Sequence, residues 1–416
     1  MLTQAENDQL TQTGPGTPMG DLLRRYWQPV AAAADMEQRW TKRVRIMSED
    51  LVLFKDRSGN LGLIGEQCPH RRASMAYGIP TADGIRCPYH GWMFDGAGRC
   101  LEQPNEPDGS NFKDKVRLPG YPVQEVAGLI FAYLGPLPAP IMTKLDGFVA
   151  NPAIRLIGKA EIPCNWLQIQ ENSADPIHSE WLHGHFAEFL AEQKGIKLAF
   201  SGHHLKVAFD EKPYGIVKRR LKVGQSEDCS DWTVGHPLVF PNILALGQSE
   251  TSWTTYAFEI RVPIDDTHTA NWWFTAFKPV DGSDVPPSLM ERAYSFEVPI
   301  DTEEYDTVAF QDIVAWRTQG DIADRTAEHL NSTDRGITLF RRMLVRELGK
   351  IAAGEDPMLV NRDPANDRPL DLPIEFEKAH YSEGFAHQLR ARVWKYAGIN
   401  DELLAAFEAS RNRVTA

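Results

Sequence analysis

At 416 residues the chain is too long for one ordinary domain and can bury two cores. With 42% apolar and 10% aromatic residues it has the texture of a packed globule rather than a disordered chain. Forty-four Lys and Arg against 57 Asp and Glu leave a net charge of −13, which argues against nucleic acid or an anionic membrane as partner and leaves small anionic substrates open. No apolar run approaches the ~20 residues that span a bilayer, and the polar opening Met1-Leu2-Thr3-Gln4-Ala5-Glu6-Asn7 is unlike a secretory signal, so a cytoplasmic protein is expected.

Residues 1–42 read as an arm with a helix. Gly14-Pro15-Gly16-Thr17-Pro18 is turn-rich, and the Asp21 to Trp27 segment follows with Leu22, Leu23, Tyr26 and Trp27 on one apolar face. From Arg43 the texture changes to short alternating segments: 44–46, 51–55, 61–64, 121–123 and 129–134. Turn signals such as Arg57-Ser58-Gly59-Asn60 and Asp95-Gly96-Ala97-Gly98 separate them. A small antiparallel β domain over 43–137 is expected, with its seam at Leu137-Pro138-Ala139-Pro140.

That domain carries Cys68-Pro69-His70, then sixteen residues, then Cys87-Pro88-Tyr89-His90. Two thiolates and two imidazoles suit a [2Fe–2S] cluster of the Rieske type, in which two cysteines bind one iron and two histidines the other. Cys₂His₂ also suits tetrahedral zinc. Zinc fingers, however, usually pair their histidines on one helix, whereas here each histidine follows a cysteine in its own Pro/Gly-bounded loop. Cys100, Cys164 and Cys229 remain as free, mostly buried thiols, as suits a reducing compartment.

Residues 138–416 show a helical stretch near 165–195, β-rich runs at 216–223, 251–262 and 269–277, and helices near 303–320, 335–353 and 400–411. The segregation of strands and helices makes α+β the expected class. The 165–195 stretch holds Asn172, Asp175, His178 and His183 among Trp and Leu. Two histidines and a carboxylate on one face, with open positions, bind ferrous iron for oxygen activation. A spacing of five separates His178 and His183 by ~140° on a regular helix, so the helix must bend or end near Gly184 for both to reach one metal. Asp175, one turn before His178, suits either ligation or the accepting of that ring's other N–H.

The Cys-x-His and Cys-x-x-His-Gly-Trp loops, Asp175-x-x-His178-x₄-His183 and the opening Gly-Pro-Gly-Thr-Pro-Met-Gly run together resemble the oxygenase (alpha) components of Rieske non-heme iron aromatic oxygenases. Within these, the chain looks most like the branch of phthalate and chlorobenzoate dioxygenases and aromatic O-demethylases. The resemblance implies a Rieske domain bearing Cys68, His70, Cys87 and His90, followed by a helix-grip-like catalytic domain. There His178 and His183 would hold a mononuclear Fe(II), with a third ligand far downstream. Asp312, in Gln311-Asp312, matches that position, with Asp301, Asp306 and Asp321 as fallbacks. Asp175 would join His90 of a neighbouring subunit to His178. Asn172 would sit near the iron or make a helix-turn hydrogen bond, and His185 falls outside the pattern.

The family further implies trimers or stacked trimers. Electrons would come from NAD(P)H through a separate reductase, with or without a ferredoxin, and O₂ would attack a small aromatic substrate. No Gly-x-Gly-x-x-Gly suggests a nicotinamide or flavin site within this chain. Lys218, Arg219 and Arg220 form a basic cluster that could meet a substrate carboxylate or simply face solvent. O-demethylation of a methoxylated, lignin-derived aromatic acid is the leading expectation, and cis-dihydroxylation of an aromatic carboxylate is the alternative. An electron carrier without oxygenase activity would have no use for the second histidine pair.

Overall fold

The computed structural model describes residues 1–197, 202–249, 253–301, 307–376 and 384–415. Helix α1 (Gln4–Thr11) opens with a capping box between Thr3 and Glu6. Helix α2 (Pro18–Leu23) is capped by Thr17, with Pro18 at its first position. It ends at Leu23, short of the expected Trp27, because Trp27–Ala32 is a strand paired antiparallel with Leu129–Tyr133. Pro29 disfavours helical backbone at Gln28, and the arm thereby donates a strand to the β region that follows.

That region contains two four-stranded antiparallel sheets. Thr41–Ile46, Glu49–Lys55, Leu61–Gly65 and Gly120–Tyr121 build the first; Ile79–Pro80, Ile85–Arg86, Met93–Phe94 and Cys100–Glu102 build the second. Val52, Phe54, Ile64, Met75, Ile85 and Phe94 form a separate core that encloses Cys68 and Cys87.

The rest of the chain is organised on one large sheet. Besides two short strands off its main path, Gln248–Ser249 and Glu375–Phe376, its strands are β1 (Ile154–Ile162), β2 (His204–Lys212), β3 (Gly215–Lys222), β4 (His236–Val239), β5 (Ile243–Ala245), β6 (Trp253–Pro263), β7 (Thr269–Pro279) and β8 (Ala293–Glu297), which follow one another along that path in the order β2-β3-β4-β5-β6-β7-β1-β8. The neighbours are antiparallel except β1 and β8, which run parallel. Both faces are covered, so alternate residues of β7 enter different cores. Trp272, Phe274 and Ala276 pack on one side, and Trp273 and Phe277 on the other.

The expected 216–223, 251–262 and 269–277 runs correspond to β3, β6 and β7, with residues 251–252 outside the described ones. The expected late helices are α4 (Val308–Arg317), α5 (Arg335–Ala352) and α6 (Asn400–Thr415). Helix α3 (Trp166–Ala174) matters most for function. Asn165 caps it by accepting from Leu167 N at 3.0 Å, while its amide donates to Thr11 O and Asp266 O. Gln168 then donates to Trp316 O (2.9 Å) and Gly320 O (2.8 Å), fixing α3 against the end of α4.

Candidate metal centres

Residues 68–73 and 87–92 fold as two copies of one loop. Cys68 N donates to Ala73 O (2.9 Å) and Arg72 N donates back to Cys68 O (2.9 Å); Cys87 N donates to Trp92 O (2.8 Å) and Gly91 N to Cys87 O (3.0 Å). Each loop turns through a left-handed residue at its fifth position, Arg72 at φ 63° and Gly91 at φ 80°. The histidine takes the third place in the first loop (His70) and the fourth in the second (His90).

Both cysteines are buried, His90 is half-buried and His70 is exposed. The two imidazoles meet with centroids 4.5 Å apart, and Trp92 stacks on His70 at 4.6 Å. Burial, reinforced by the adjacent Cys87, pushes the Cys68 thiol up to about 11. A pair of thiolates here therefore needs compensating positive charge, which the irons of a cluster provide. The donors fit a [2Fe–2S] cluster: the two buried cysteines would hold one iron and the two more exposed histidines the other. Cys100 stands apart from this set, its Sγ 3.7 Å from Glu102 O.

The second centre forms where α3 ends. Asp175 Oδ1 accepts from Ile177 N at 2.7 Å and Oδ2 from His178 N at 3.2 Å, which turns the chain into the short helix His178–Glu180. His178 Nδ1, buried without a closed hydrogen bond, faces Asp175 Oδ2 at 3.5 Å. Trp181–Phe186 then winds as a π-helix before α-helical geometry resumes at Ala187. Because π turns bond i to i+5, residues five apart come onto one side. The expected bend or end near Gly184 is thus a widening, with Gly184 buried inside it.

His178 and His183 consequently face each other with centroids 5.2 Å apart. Their Nε2 atoms lie 3.8 and 3.3 Å from Asp312 Oδ1 on α4. The three ligand atoms all fall within 4.8 Å of one another. Burial opposes ionisation of Asp312, but the charges and hydrogen bonds of His183, with His178 and Arg261, keep its carboxyl below the usual range. Burial likewise opposes a charged His183, yet Asp312 raises its pKa. Two Nε2 atoms and one carboxylate, with other directions open, fit a non-heme ferrous ion.

Asn172 Nδ2 is 3.4 Å from Asp312 Oδ1, so it reaches the carboxylate as well as lying on the same helix as the turn. Of the fallbacks, Asp301 is exposed and paired with Arg317 at 3.3 Å, Asp321 is exposed, and Asp306 lies outside the described residues. His185 is half-buried beside Trp181. The basic cluster divides by strand alternation. Arg219 pairs with Asp210; Arg220 reaches Asp231 (3.4 Å) and Ser179 Oγ (3.2 Å). Lys218 is buried with its charge bearing on Asp175, His183 and Glu259.

Sequence reasoning missed Gln311, whose Oε1 lies 2.8 Å from His183 Nδ1, and the pair of buried Arg261 with half-buried Glu259 (2.6 Å) near Asp312. Only the adjacency of Gln311 to Asp312 hinted at the former. Glu259 and Arg261, two apart on β6, share a face of that strand by local geometry, but only the fold turns that face toward Asp312.

Residues 26–122 match the Rieske [2Fe-2S] domain. Over 383 residues the chain is 44% identical to the 5,5'-dehydrodivanillate O-demethylase oxygenase subunit of a Sphingobium species, covering 90% of this chain and 87% of that one. It is 32% identical to the phthalate 4,5-dioxygenase oxygenase subunit of Pseudomonas putida, covering 85% and 88%. The fold matches the terminal oxygenase of carbazole 1,9a-dioxygenase from Nocardioides aromaticivorans with a TM-score of 0.59 at 18% identity, over 82% of this chain and 98% of that one. Among the described residues no helix is long and apolar enough to cross a membrane. With a Rieske domain, a separate His-His-Asp set and near full-length identity to oxygenase subunits, the chain belongs to the Rieske non-heme iron oxygenases, as an oxygenase component supplied by a separate reductase.

Proposed function

We propose that this oxygenase removes the methyl group of a methoxylated aromatic acid. The observation that carries the reading is the 44% identity to an O-demethylase subunit over nearly the whole chain, together with a buried Lys218 beside the His-His-Asp set. Lys218 and Arg220 share a strand face that reaches Ser179 on the ligand-bearing turn, where Arg220 is also paired with Asp231. The balanced reaction is ArOCH₃ + O₂ + 2e⁻ + 2H⁺ → ArOH + HCHO + H₂O.

In this scheme residues 1–42 are an arm, 43–137 the cluster domain, and 138–416 the catalytic domain. Cys68 and Cys87 bind one cluster iron, and His70 and His90 the other. His178, His183 and Asp312 hold Fe(II), Asn172 steadies Asp312, and Asp175 steadies His178. When bound, the cluster supplies single electrons and the ferrous ion supplies O₂ activation, both drawing on NAD(P)H through the reductase.

Trimers or stacked trimers suit this division of labour. Among the described residues, the ring contacts of His70 and His90 stay within the cluster loops. Tyr89 beside the cluster and Trp181 beside the iron set are exposed and available to pack between copies. None of the five cysteines is in a disulfide, which supports a cytoplasmic setting.

Turnover with reductase, NADH and 5,5'-dehydrodivanillate tests the reading. Formaldehyde and phenol should appear in equal amounts. A cis-diol from phthalate with no formaldehyde from any methoxylated acid would establish ring dihydroxylation instead.

A further inference from the structure

The π-helical turn displays a second pair of side chains five residues apart. His178 and His183 converge on Asp312; two residues further along, Glu180 and His185 repeat the same spacing. The i to i+5 winding that aligns the first pair also aligns the second. Glu180 and His185, with His203 just before β2, offer ligand atoms that all lie within 4.8 Å of one another.

Glu180 is buried, whereas His203 is 62% exposed at its side chain, so the trio is anchored at one end and open to solution at the other. Glu180 Oε1 lies 2.6 Å from His203 Nδ1. Its Oε2 accepts from His204 N (2.7 Å) and lies 2.9 Å from His204 Nδ1. The second oxygen is thus oriented by a neighbour that need not ligate, the arrangement that fixes metal-binding carboxylates. His185 and His203 rings stand 5.7 Å apart.

We propose that Glu180, His185 and His203 form a second mononuclear site, for a divalent cation of the zinc class, distinct from the His178–His183–Asp312 set. Two imidazoles and one carboxylate favour zinc over calcium or magnesium, which prefer all-oxygen shells. The ion takes the place of the Glu180–His203 hydrogen bond and ties the turn carrying His178 and His183 to the start of β2. Its role is to stiffen that turn, since the ion ties Glu180 and His185 to His203, 18 or more residues further on.

Iron-loaded enzyme equilibrated with buffered zinc tests this, with zinc and iron both counted and thermal unfolding followed. One zinc per chain should bind while iron content stays constant, and the Tm should rise. His203→Ala and His185→Ala should each weaken zinc binding at least tenfold and remove the Tm shift. Asp312→Ala, which lacks the other set's carboxylate, should bind zinc as the unaltered protein does. His203 is exposed, so its variant remains informative if His185→Ala folds poorly. Zinc uptake only as iron leaves, no zinc beyond the irons, or undiminished uptake by His203→Ala overturns the proposal.

Discussion

Gln311 and His183 are joined at 2.8 Å through Oε1 and Nδ1, while the next residue, Asp312, stands 3.3 Å from the opposite nitrogen of the same ring. Two consecutive residues of α4 thus fix both sides of one imidazole. The Gln311 amide oxygen accepts from Nδ1–H, which sets the tautomer that leaves Nε2 free for a metal. Removing that acceptor in Gln311→Leu should lower ferrous affinity about 10–100-fold and leave the cluster absorbance intact. Ferrous titration of the depleted protein reads this, and unchanged affinity would mean that packing alone orients His183.

Direct loss of a proposed ligand has a sharper signature. His178→Ala, His183→Ala or Asp312→Ala should reduce iron from about three to about two per chain, abolish oxygenation and preserve the cluster's colour. Cys87→Ser or His90→Ala should bleach the colour itself. Metal analysis beside the visible spectrum separates the two classes, and an active Asp312→Ala protein would move the third ligand elsewhere.

Glu171, on the helix that leads to Asp175, is buried between Arg325 (2.7 Å) and Arg341 (2.5 Å). Burial resists its ionisation, but the two guanidinium charges hold its pKa below the ordinary carboxylate value. Glu171→Gln leaves Arg325 facing a neutral amide, while Arg341 keeps its pairing with Glu328, and should cost about 3 kcal/mol. A depressed carboxyl contributes stability above its unfolded pKa, about 4.3, and loses it as pH falls through the folded value. The difference between the two proteins should hold from pH 7 to 5 and narrow in more acid solution. Chemical denaturation across that range tests it; a pH-independent gap would point to lost packing rather than charge.

What the sequence disclosed follows from how local each signal is. The Rieske domain was legible because Cys68 to His70 and Cys87 to Trp92 are short motifs whose candidate ligands share a turn. The His178–His183 pair was legible as chemistry, and its spacing exposed a geometric difficulty, yet the π-helical answer depends on backbone hydrogen bonding that periodicity does not reveal. The apolar character of Trp27 fits a helix face as well as a strand; Pro29 is the local sign against helix, and the pairing with Tyr133, over a hundred residues away, makes the segment a strand. The contact of Gln311 with His183 and the place of Lys218 near the histidines are likewise products of tertiary packing.

Asp175 makes the most separable claim. Its carboxylate engages His178 on the Nδ1 side, while Nε2 points toward Asp312. A bridging role therefore predicts that Asp175→Asn keeps much of its mononuclear iron and that its cluster still accepts electrons, because both donor sets are intact. Transfer from cluster to iron should fail, since the amide changes the charge and hydrogen bonding that join the histidines. Stopped-flow reoxidation of the reduced cluster, with substrate and O₂ present, should be slowed by at least tenfold. If the path crosses between subunits, oligomers mixed from inactive Asp175→Asn and inactive Cys87→Ser chains should recover activity wherever an intact cluster faces an intact iron site. Reoxidation at the unaltered rate in Asp175→Asn would remove the residue from the path. Verified mixed oligomers without recovered activity would instead place that path within one chain.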